Sequence, residues 1–551
     1  MSHVEGRHVI ARSLKAQGVE HVFGIVGFPI MELADILQRE GIRFYGFRNE
    51  QAASYEAGAV GYLTGRPGVC ATVSGPGMVH AIAGLSNAWA NCWPMLLMGG
   101  APDSCQREQG AFQEAPQLEA ARPFVKLSTR PDCLARVPYY VEKCMRTAMY
   151  GRPGAVYLDL PNDLLAGSVA ESDLVIPARV AEAPRSLADP TAVTRTLALL
   201  RDARRPLVIV GKGAAYARAE HEVRSFIENT GLPFLASPMG KGVVADNHPQ
   251  SVAPARSHAL QEADVVFLIG ARLNWMMHFG EPPRFAREVQ FIQLDIAGDE
   301  IGSNVPAAAA LVGDAEAVMR QMNDALAAAP WRCATDTGWW QFLRTITAEN
   351  EAQVAAMMND DAVPMGYYRV LRELRDAMPK DAILASEGSN TMDIGRSVLL
   401  HGEPRLRLDA GTFGTMGVGP AFAIAAAVVQ SNRKVVCLEG DSAIGFSAME
   451  LETACRYKLP ITFVVINNNG IGGGEYELSD PVPPHMYTPG ARYDRVVEAF
   501  GGRGYFATTP EELRSALRSA LDASVPTLVN VMIDPKAGRK PQKFAWLTRK
   551  E

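Results

Sequence analysis

Short apolar runs alternate with longer amphipathic stretches along most of this chain. Residues 21–26, 69–73, 94–98 and 155–160 are such runs, and each is followed by glycine, serine or proline. Runs this short and this uniformly apolar read as strands buried on both faces, the mark of a parallel sheet covered by helices. The pattern returns at 206–211, 263–270 and 290–296, and again at 382–385, 434–438, 461–466 and 527–533. Two less regular stretches read as linkers: 166–190, polar and proline-bearing, and 330–362, rich in Ala, Trp and Thr. The expected fold is α/β, with three doubly wound parallel-sheet domains at 1–170, 190–330 and 363–535 and a tail at 536–551. The first and third blocks share size and pattern, as an old duplication would leave them.

Composition narrows the function classes. A chain of 551 residues suits about three to four domains. With 48% hydrophobic and 21% charged residues it is no disordered chain. No charge-free apolar stretch reaches the roughly 18 residues a membrane helix needs, and the nearest, 419–430, is too short. Lys and Arg number 54 against 60 Asp and Glu, a net charge of −6 without a basic block, which argues against a nucleic-acid partner. Residues 1–12 carry Glu5, Arg7 and His8 and lack the apolar core of a secretory signal, so the expectation is a cytoplasmic protein without a membrane partner. Eight cysteines without a CxxC pair are expected to be reduced thiols that pack as small apolar residues.

Chemistry concentrates at the ends of the expected strands, where open α/β sheets bind ligands. Run 434–438 leads into Glu439-Gly440-Asp441-Ser442, and run 461–466 into Asn467-Asn468-Asn469-Gly470. Asp441 and Asn468 lie 27 residues apart, each just past a strand end, and one βαβ unit brings such ends together. A carboxylate, an amide oxygen and nearby carbonyls suit Mg²⁺, a hard cation usually completed by phosphate oxygens. Gly440 lets the backbone approach a phosphate, and the helix N-terminus that follows favours an anion. Gly-Asp and Asn-Asn-Gly are each ordinary turn signals alone. Together, at this spacing, they point to a cation and phosphate site.

Gly440-Asp441-Ser442 followed by Asn467-Asn468 resembles the signature of the thiamine diphosphate enzymes, with Ser442 where many members have Gly. The resemblance implies thiamine diphosphate and Mg²⁺ as cofactors, the metal held by Asp441, Asn468 and a backbone carbonyl at Gly470. It implies pyrimidine-binding, central Rossmann-like and diphosphate-binding domains, in that order. It also implies a catalytic glutamate after an early strand. Arg48-Asn-Glu-Gln-Ala-Ala53, following the apolar stretch 42–47, puts Glu50 in that role. By resemblance, Glu50 hydrogen-bonds N1′ of the cofactor's aminopyrimidine from an apolar slot that tunes its pKa. Residues 23–29 resemble the glycine loop beside the pyrimidine, which brings in Val26 and Pro29. Residues 411–417 resemble the segment with a bulky apolar residue under the cofactor, here Met416. Ser389 and Asn390 of Glu387-Gly-Ser-Asn390 reach toward the diphosphate with Gly440 and Ser442. His80, after the tight turn Ser74-Gly-Pro-Gly77, either faces the substrate or holds a structural hydrogen bond.

The likeness runs nearly end to end and favours one branch. Segments 211–217, 238–242, 270–274 and 294–296 are similar to the group of oxalyl-CoA decarboxylases and 2-hydroxyacyl-CoA lyases. This implies a site for ADP or the nucleotide of CoA lined by Arg152, Lys212, Arg272, Asp295 and Ile296, with Arg256 and Arg396 toward the CoA phosphates. A degenerate structural domain and surface salt bridges are the plainer alternatives. Phe112-Gln113 stands where the decarboxylases carry Tyr-Glu and the lyases Phe-Gln. The lyase reading follows: cleavage of a 2-hydroxyacyl-CoA between C1 and C2 to formyl-CoA and an aldehyde or ketone, run reversibly, with Gln113 and His80 placing the substrate oxygens. Oxalyl-CoA decarboxylase is the nearest alternative. An acetolactate-synthase-like carboligase and a non-catalytic nucleotide-binding scaffold stand further off. Gly472 departs from both branches, which usually carry Tyr there, and implies a mobile stretch at 471–487. The resemblance further implies that the tail closes over the thioester, and that the assembly is a homotetramer whose smallest active unit is a dimer.

Overall fold

A computed structural model describes residues 2–541. Phe544 and Trp546 of the tail lie outside the described residues. Three parallel sheets are present, each with helices on both faces. The first has six strands in the spatial order Arg43–Gly46, His21–Gly24, Gly68–Thr72, Met95–Ala101, Ala155–Pro161, Leu127–Thr129. The third has six strands in the order Arg407–Asp409, Ile383–Ser386, Val435–Gly440, Ile461–Asn467, Thr527–Met532, Arg503–Ala507. Numbered within each block, both orders read 2-1-3-4-6-5. The middle sheet has five parallel strands, with Pro206–Val210, Val265–Ile269 and Gln290–Asp295 inside Phe234–Ala236 and Ala307–Val312. Five inner strands, Gly68–Thr72, Met95–Ala101, Pro206–Val210, Val265–Ile269 and Ile461–Asn467, are buried along their whole length, as continuous apolar runs require.

The first and third sheets share one apolar core. Helix Glu50–Thr64 packs against helix Gly419–Val429, and Trp93 meets Phe422 edge-on at 5.3 Å between ring centres. Gly419–Val429 is apolar on every side because it is enclosed on every side. The middle sheet is tied to the third by buried charge. Lys241 pairs with Asp246 at 2.8 Å, and Asp246 also accepts from the backbone of His401 at 2.8 Å. All eight cysteines are free thiols, with Cys70, Cys144 and Cys437 buried. Among the described residues no helix is long and apolar enough to cross a membrane.

The two expected linkers are more structured than their composition implied. Residues 330–362 contain the 21-residue helix Gly338–Met358. Thr337 caps its first turn, Trp339, Trp340 and Leu343 are buried against the middle sheet, and Trp339 Nε1 donates to Pro206 O at 3.0 Å. Residues 166–190 contribute Ser168–Ala170, which pairs antiparallel with His3–Glu5. After Gly440 the helix Asp441–Ser447 begins at Asp441, whose charge suits a first turn.

Candidate active site

In the first sheet the site residues follow the ends of consecutive strands. Glu50 opens helix Glu50–Thr64. Asn49 caps that helix by accepting from Gln51 N at 2.7 Å, and an acidic first residue suits the helix dipole. The Glu50 carboxylate is 14% exposed and lies 3.1 Å from His80 Nδ1. The expected slot is thus not wholly apolar, because His80 extends from helix Pro76–Asn91 into it. The Ser74–Gly77 turn lies between two site residues. A Cβ at Gly77 would sit 3.3 Å from Glu50 Oε1, and one at Gly75 would sit 2.4 Å from the Gln113 carbonyl. Gln113 holds a left-handed backbone at φ 55°, and its carbonyl accepts from the Ser74 hydroxyl at 2.6 Å. Val26 is exposed at the rim, Pro29 is buried, and Phe28 meets Phe112 edge-on at 6.1 Å.

In the third sheet Asp441 and Asn468 end adjacent strands, as the spacing required. Asp441 Oδ1 accepts from Ser442 N at 2.8 Å, and Oδ2 accepts from Gly470 N at 2.9 Å. Burial pushes the Asp441 carboxyl up to about 6, against the pull of these backbone N–H groups. The Asn468 side-chain oxygen lies 3.0 Å from Asp441 Oδ1 and 2.9 Å from the Gly470 carbonyl, while its nitrogen faces the Tyr367 hydroxyl at 3.1 Å. Ser389 and Asn390 begin helix Ser389–Val398 after Gly388, whose φ of 87° suits glycine, and Asn390 bonds the Tyr367 hydroxyl. Buried Glu387 accepts from the backbone N–H groups of Gly417 and Gly419 and so fixes the segment that carries Met416. Past the metal motif, Ser442 and Tyr487 share a hydroxyl–hydroxyl bond of 3.0 Å. Gly472, φ 77°, opens onto empty space.

All seven residues named for a nucleotide line one cavity of about 1360 Å³ between the middle sheet and its neighbours. Lys212 Nζ contacts Asn91 Oδ1 at 2.7 Å and Thr412 Oγ1 at 3.3 Å, and burial lowers its pKa to about 7. Arg272 donates to Ala90 O at 2.6 Å, and Arg256 to Met276 O at 2.9 Å. Among the described residues no carboxylate pairs with these three. Arg152 differs, bridging Asp295 at 3.1 Å and Glu300 at 2.9 Å. Arg396 is likewise held by Asp409 at 2.7 Å and Asp393 at 2.5 Å. Asp409 also bonds Arg407 at 2.9 Å and Asp393 also bonds Arg539 at 3.1 Å, so three guanidinium groups share these two carboxylates.

Comparison with known proteins resolves the family. Residues 4–120 match the profile described as thiamine pyrophosphate enzyme, N-terminal TPP binding domain. Residues 193–322 match the central domain and residues 387–531 the C-terminal TPP binding domain. The chain belongs to the thiamine pyrophosphate enzymes. Thiamine pyrophosphate is the same molecule as thiamine diphosphate. The chain is 50% identical over 562 aligned residues to 2-hydroxyacyl-CoA lyase 1 of Mus musculus, covering 99% of this chain and 97% of that one. The Homo sapiens protein of the same name gives the same identity and coverage. Oxalyl-CoA decarboxylase of Escherichia coli (strain K12) is 41% identical, over 99% of this chain and 98% of that protein.

As a thiamine pyrophosphate enzyme the chain has a donor set that fits its cofactor. One end of the Asn468 amide faces two acceptor oxygens, Asp441 Oδ1 at 3.0 Å and the Gly470 carbonyl at 2.9 Å. With its nitrogen at that end the amide donates to both, and with its oxygen there a carboxylate, an amide oxygen and a carbonyl converge as a hard cation such as Mg²⁺ requires. Several residues that shape this site escaped sequence reasoning. Tyr367 links Asn468 to Asn390 from a helix 74 residues before the metal motif. Gln117 ties Gly75 N, Gly100 O and Asp159 into one buried cluster. Neither carries a motif. Glu387 stood inside a quoted motif, but its role shows only when Gly417 and Gly419 fold back onto it.

Proposed function

We propose that this chain is a thiamine diphosphate- and Mg²⁺-dependent 2-hydroxyacyl-CoA lyase, converting a 2-hydroxyacyl-CoA to formyl-CoA and an aldehyde or ketone, and reversing that reaction. The observation that carries the substrate class is the near end-to-end likeness to proteins named 2-hydroxyacyl-CoA lyase. The Phe112-Gln113 pair supports the lyase over the decarboxylase.

Asp441, Asn468 and the Gly470 carbonyl would hold Mg²⁺, and the helix starts at Ser389 and Asp441 would face the diphosphate. Bound thiamine diphosphate supplies an acidic thiazolium carbon and a sink for the electron pair of the broken C–C bond. Glu50 would hold a proton at the aminopyrimidine, and the half-exposed His80, 3.1 Å from its carboxylate, would orient that carboxylate and connect it to solvent. Gln113 positions the substrate hydroxyl. Met416 would pack against the bound cofactor. Lys212, Arg256 and Arg272, with no carboxylate partner, hold the phosphates of CoA, while Asp295 and Ile296 flank its nucleotide. ADP, which shares that chemistry, is a second occupant to test.

We further place the active unit at a dimer or larger, with a homotetramer as the working assembly. A cytoplasmic location completes the proposal. The purified protein with thiamine diphosphate and Mg²⁺ should release formyl-CoA plus a trappable aldehyde from a 2-hydroxyacyl-CoA and turn over oxalyl-CoA poorly. Formyl-CoA and CO₂ from oxalyl-CoA alone would move the chain to the decarboxylase. No product from either would sink the CoA reading.

A further inference from the structure

In the loop that delivers Gln113, Asp163 holds Ser104 at the start and the Glu114 carboxylate gathers the stretch from Glu108 to Ala111. Between strand Met95–Ala101 and helix Gln117–Ala121 the chain has only one short 3-10 turn, Ser104–Gln106, and residues 104–110 are exposed. No apolar core fixes such a segment. Glu114 Oε1 accepts from Glu108 N at 2.5 Å, and Oε2 accepts from Gly110 N and Ala111 N, both at 3.1 Å. The backbone N–H of Glu114 donates to Ala111 O at 3.0 Å. Three N–H groups turned toward one point form an anion nest, here closed by the loop's own side chain. Gln113 lies inside the nest with φ 55°, a conformation a non-glycine residue holds only when its surroundings impose it. Ser74 fixes its other side, and the Ser74–Gly77 turn reaches from Gln113 to Glu50.

We propose that Glu114 is a positioning residue of the active site: by folding residues 108–114 around its carboxylate, it holds Gln113 in place for the 2-hydroxyacyl group. This deepens the lyase reading and rests on it. The same backbone N–H groups pull the Glu114 pKa down, so the latch stays anionic through neutral pH.

The test compares Glu114→Gln, Gln113→Ala and the double variant as holoenzymes with a 2-hydroxyacyl-CoA. A glutamine amide turns N–H against N–H at one of its two positions and so opens half of the nest. If Glu114 acts through Gln113, each single variant loses roughly ten- to a hundredfold in kcat/KM. The double variant then falls no further than Gln113→Ala, and melting temperatures stay within about 2 °C of wild type. Additive losses, or an unchanged kcat/KM in Glu114→Gln, overturn the proposal. Limited trypsin cleavage after Arg107 reads the loop without turnover. It should speed up in Glu114→Gln and stay unchanged in Gln113→Ala, and equal rates in Glu114→Gln and wild type also overturn it. Should the wild type turn over no 2-hydroxyacyl-CoA, the lyase reading falls, and the trypsin result alone decides whether Glu114 folds the loop.

Discussion

The first and third sheets lay their six strands in one order, 2-1-3-4-6-5, yet they place different chemistry on it. In both, the residues of interest follow strands 1 to 4, around the point where the strand order reverses, as open α/β sheets favour. After those strands the first sheet presents Val26 and Pro29, then Glu50, then the Ser74–Gly77 turn, then Gln113. The third presents Ser389 and Asn390, then Met416, then Asp441, then Asn468. One edge offers a carboxylate bonded to an imidazole and a glutamine on a latched loop. The other offers facing oxygens and helix starts. The shared scaffold fixes where groups stand, and the loop sequences decide whether they move protons or hold charge.

The largest effects should separate those two roles. Glu50→Gln should lower kcat by roughly 10²–10⁴-fold while cofactor affinity stays within severalfold. Asp441→Ala should instead cost affinity, so that thiamine diphosphate with Mg²⁺ binds the apoenzyme at least about a hundredfold more weakly, since removing a hard ligand unseats the ion. Titration of the apoenzyme by calorimetry, beside steady-state rates, measures both. If Glu50→Gln abolished binding while Asp441→Ala kept it, the division of labour between the sheets would be wrong.

The two sheets also share a core, and a core substitution tests whether they unfold as one. Trp93→Ala removes a fully buried ring that meets Phe422 across the domain seam. A cost of about 3–5 kcal/mol is expected, from lost burial plus a cavity. Denaturant unfolding followed by near-ultraviolet dichroism should shift the transition of both sheets together. A shift confined to the first sheet would show that the seam is only a contact between independent domains.

The seam carries buried carboxyls as well. Glu450 accepts from Arg48 N at 3.2 Å and from the Thr453 hydroxyl at 2.6 Å, and burial raises its pKa from an ordinary 4.5 to about 7. Glu56 faces it from helix Glu50–Thr64, fully buried and pushed up by burial and by Glu450, while Arg456 lies near enough to oppose the shift. Between about pH 4.5 and 7 the folded protein keeps a proton that the unfolded chain has lost, so stability falls as pH rises through that window. A shift of this size is worth at most about 3 kcal/mol. Glu450→Gln should flatten the decline, narrowing the stability difference between pH 5 and pH 8. An unchanged slope would mean that Glu450 ionises in the folded protein as it does unfolded.

Much of this layout was legible in the chain. The inner strands announced themselves as apolar runs because both faces are buried. Five of the six edge strands escaped, among them Leu127–Thr129, Arg407–Asp409 and Arg503–Ala507, because an edge needs less apolar surface and tolerates charge. Helix Gly338–Met358 escaped because only its first turn and a half is buried, and its Trp pair reads as linker composition without the sheet it covers. The residues that bind or react stood out by spacing, as Asp441 and Asn468 did. Those that hold them, such as Tyr367, Gln117 and Glu114, did not, because their role lies in which backbone groups the fold turns toward them.

The smallest expected effect lies at one such holding contact, where the two sheets meet around the cofactor segment. Asn87, buried on the first domain's helix Pro76–Asn91, donates from Nδ2 to the Thr415 hydroxyl at 2.9 Å. Asn91 donates back to the Asn87 side-chain oxygen at 3.2 Å, which fixes the amide's direction. Thr415 directly precedes Met416, so the first sheet steadies a piece of the third sheet's machinery without touching its chemistry. Asn87→Ala removes both side-chain bonds, of which the one that crosses to Thr415 is worth about 1 kcal/mol, or roughly fivefold in an equilibrium. The loss should appear as weaker thiamine diphosphate binding, with kcat at saturating cofactor unchanged. A fall in kcat at unchanged affinity would mean that the contact acts on the reaction itself, and the boundary between a reacting sheet and a holding sheet would then run through Thr415 rather than between the domains.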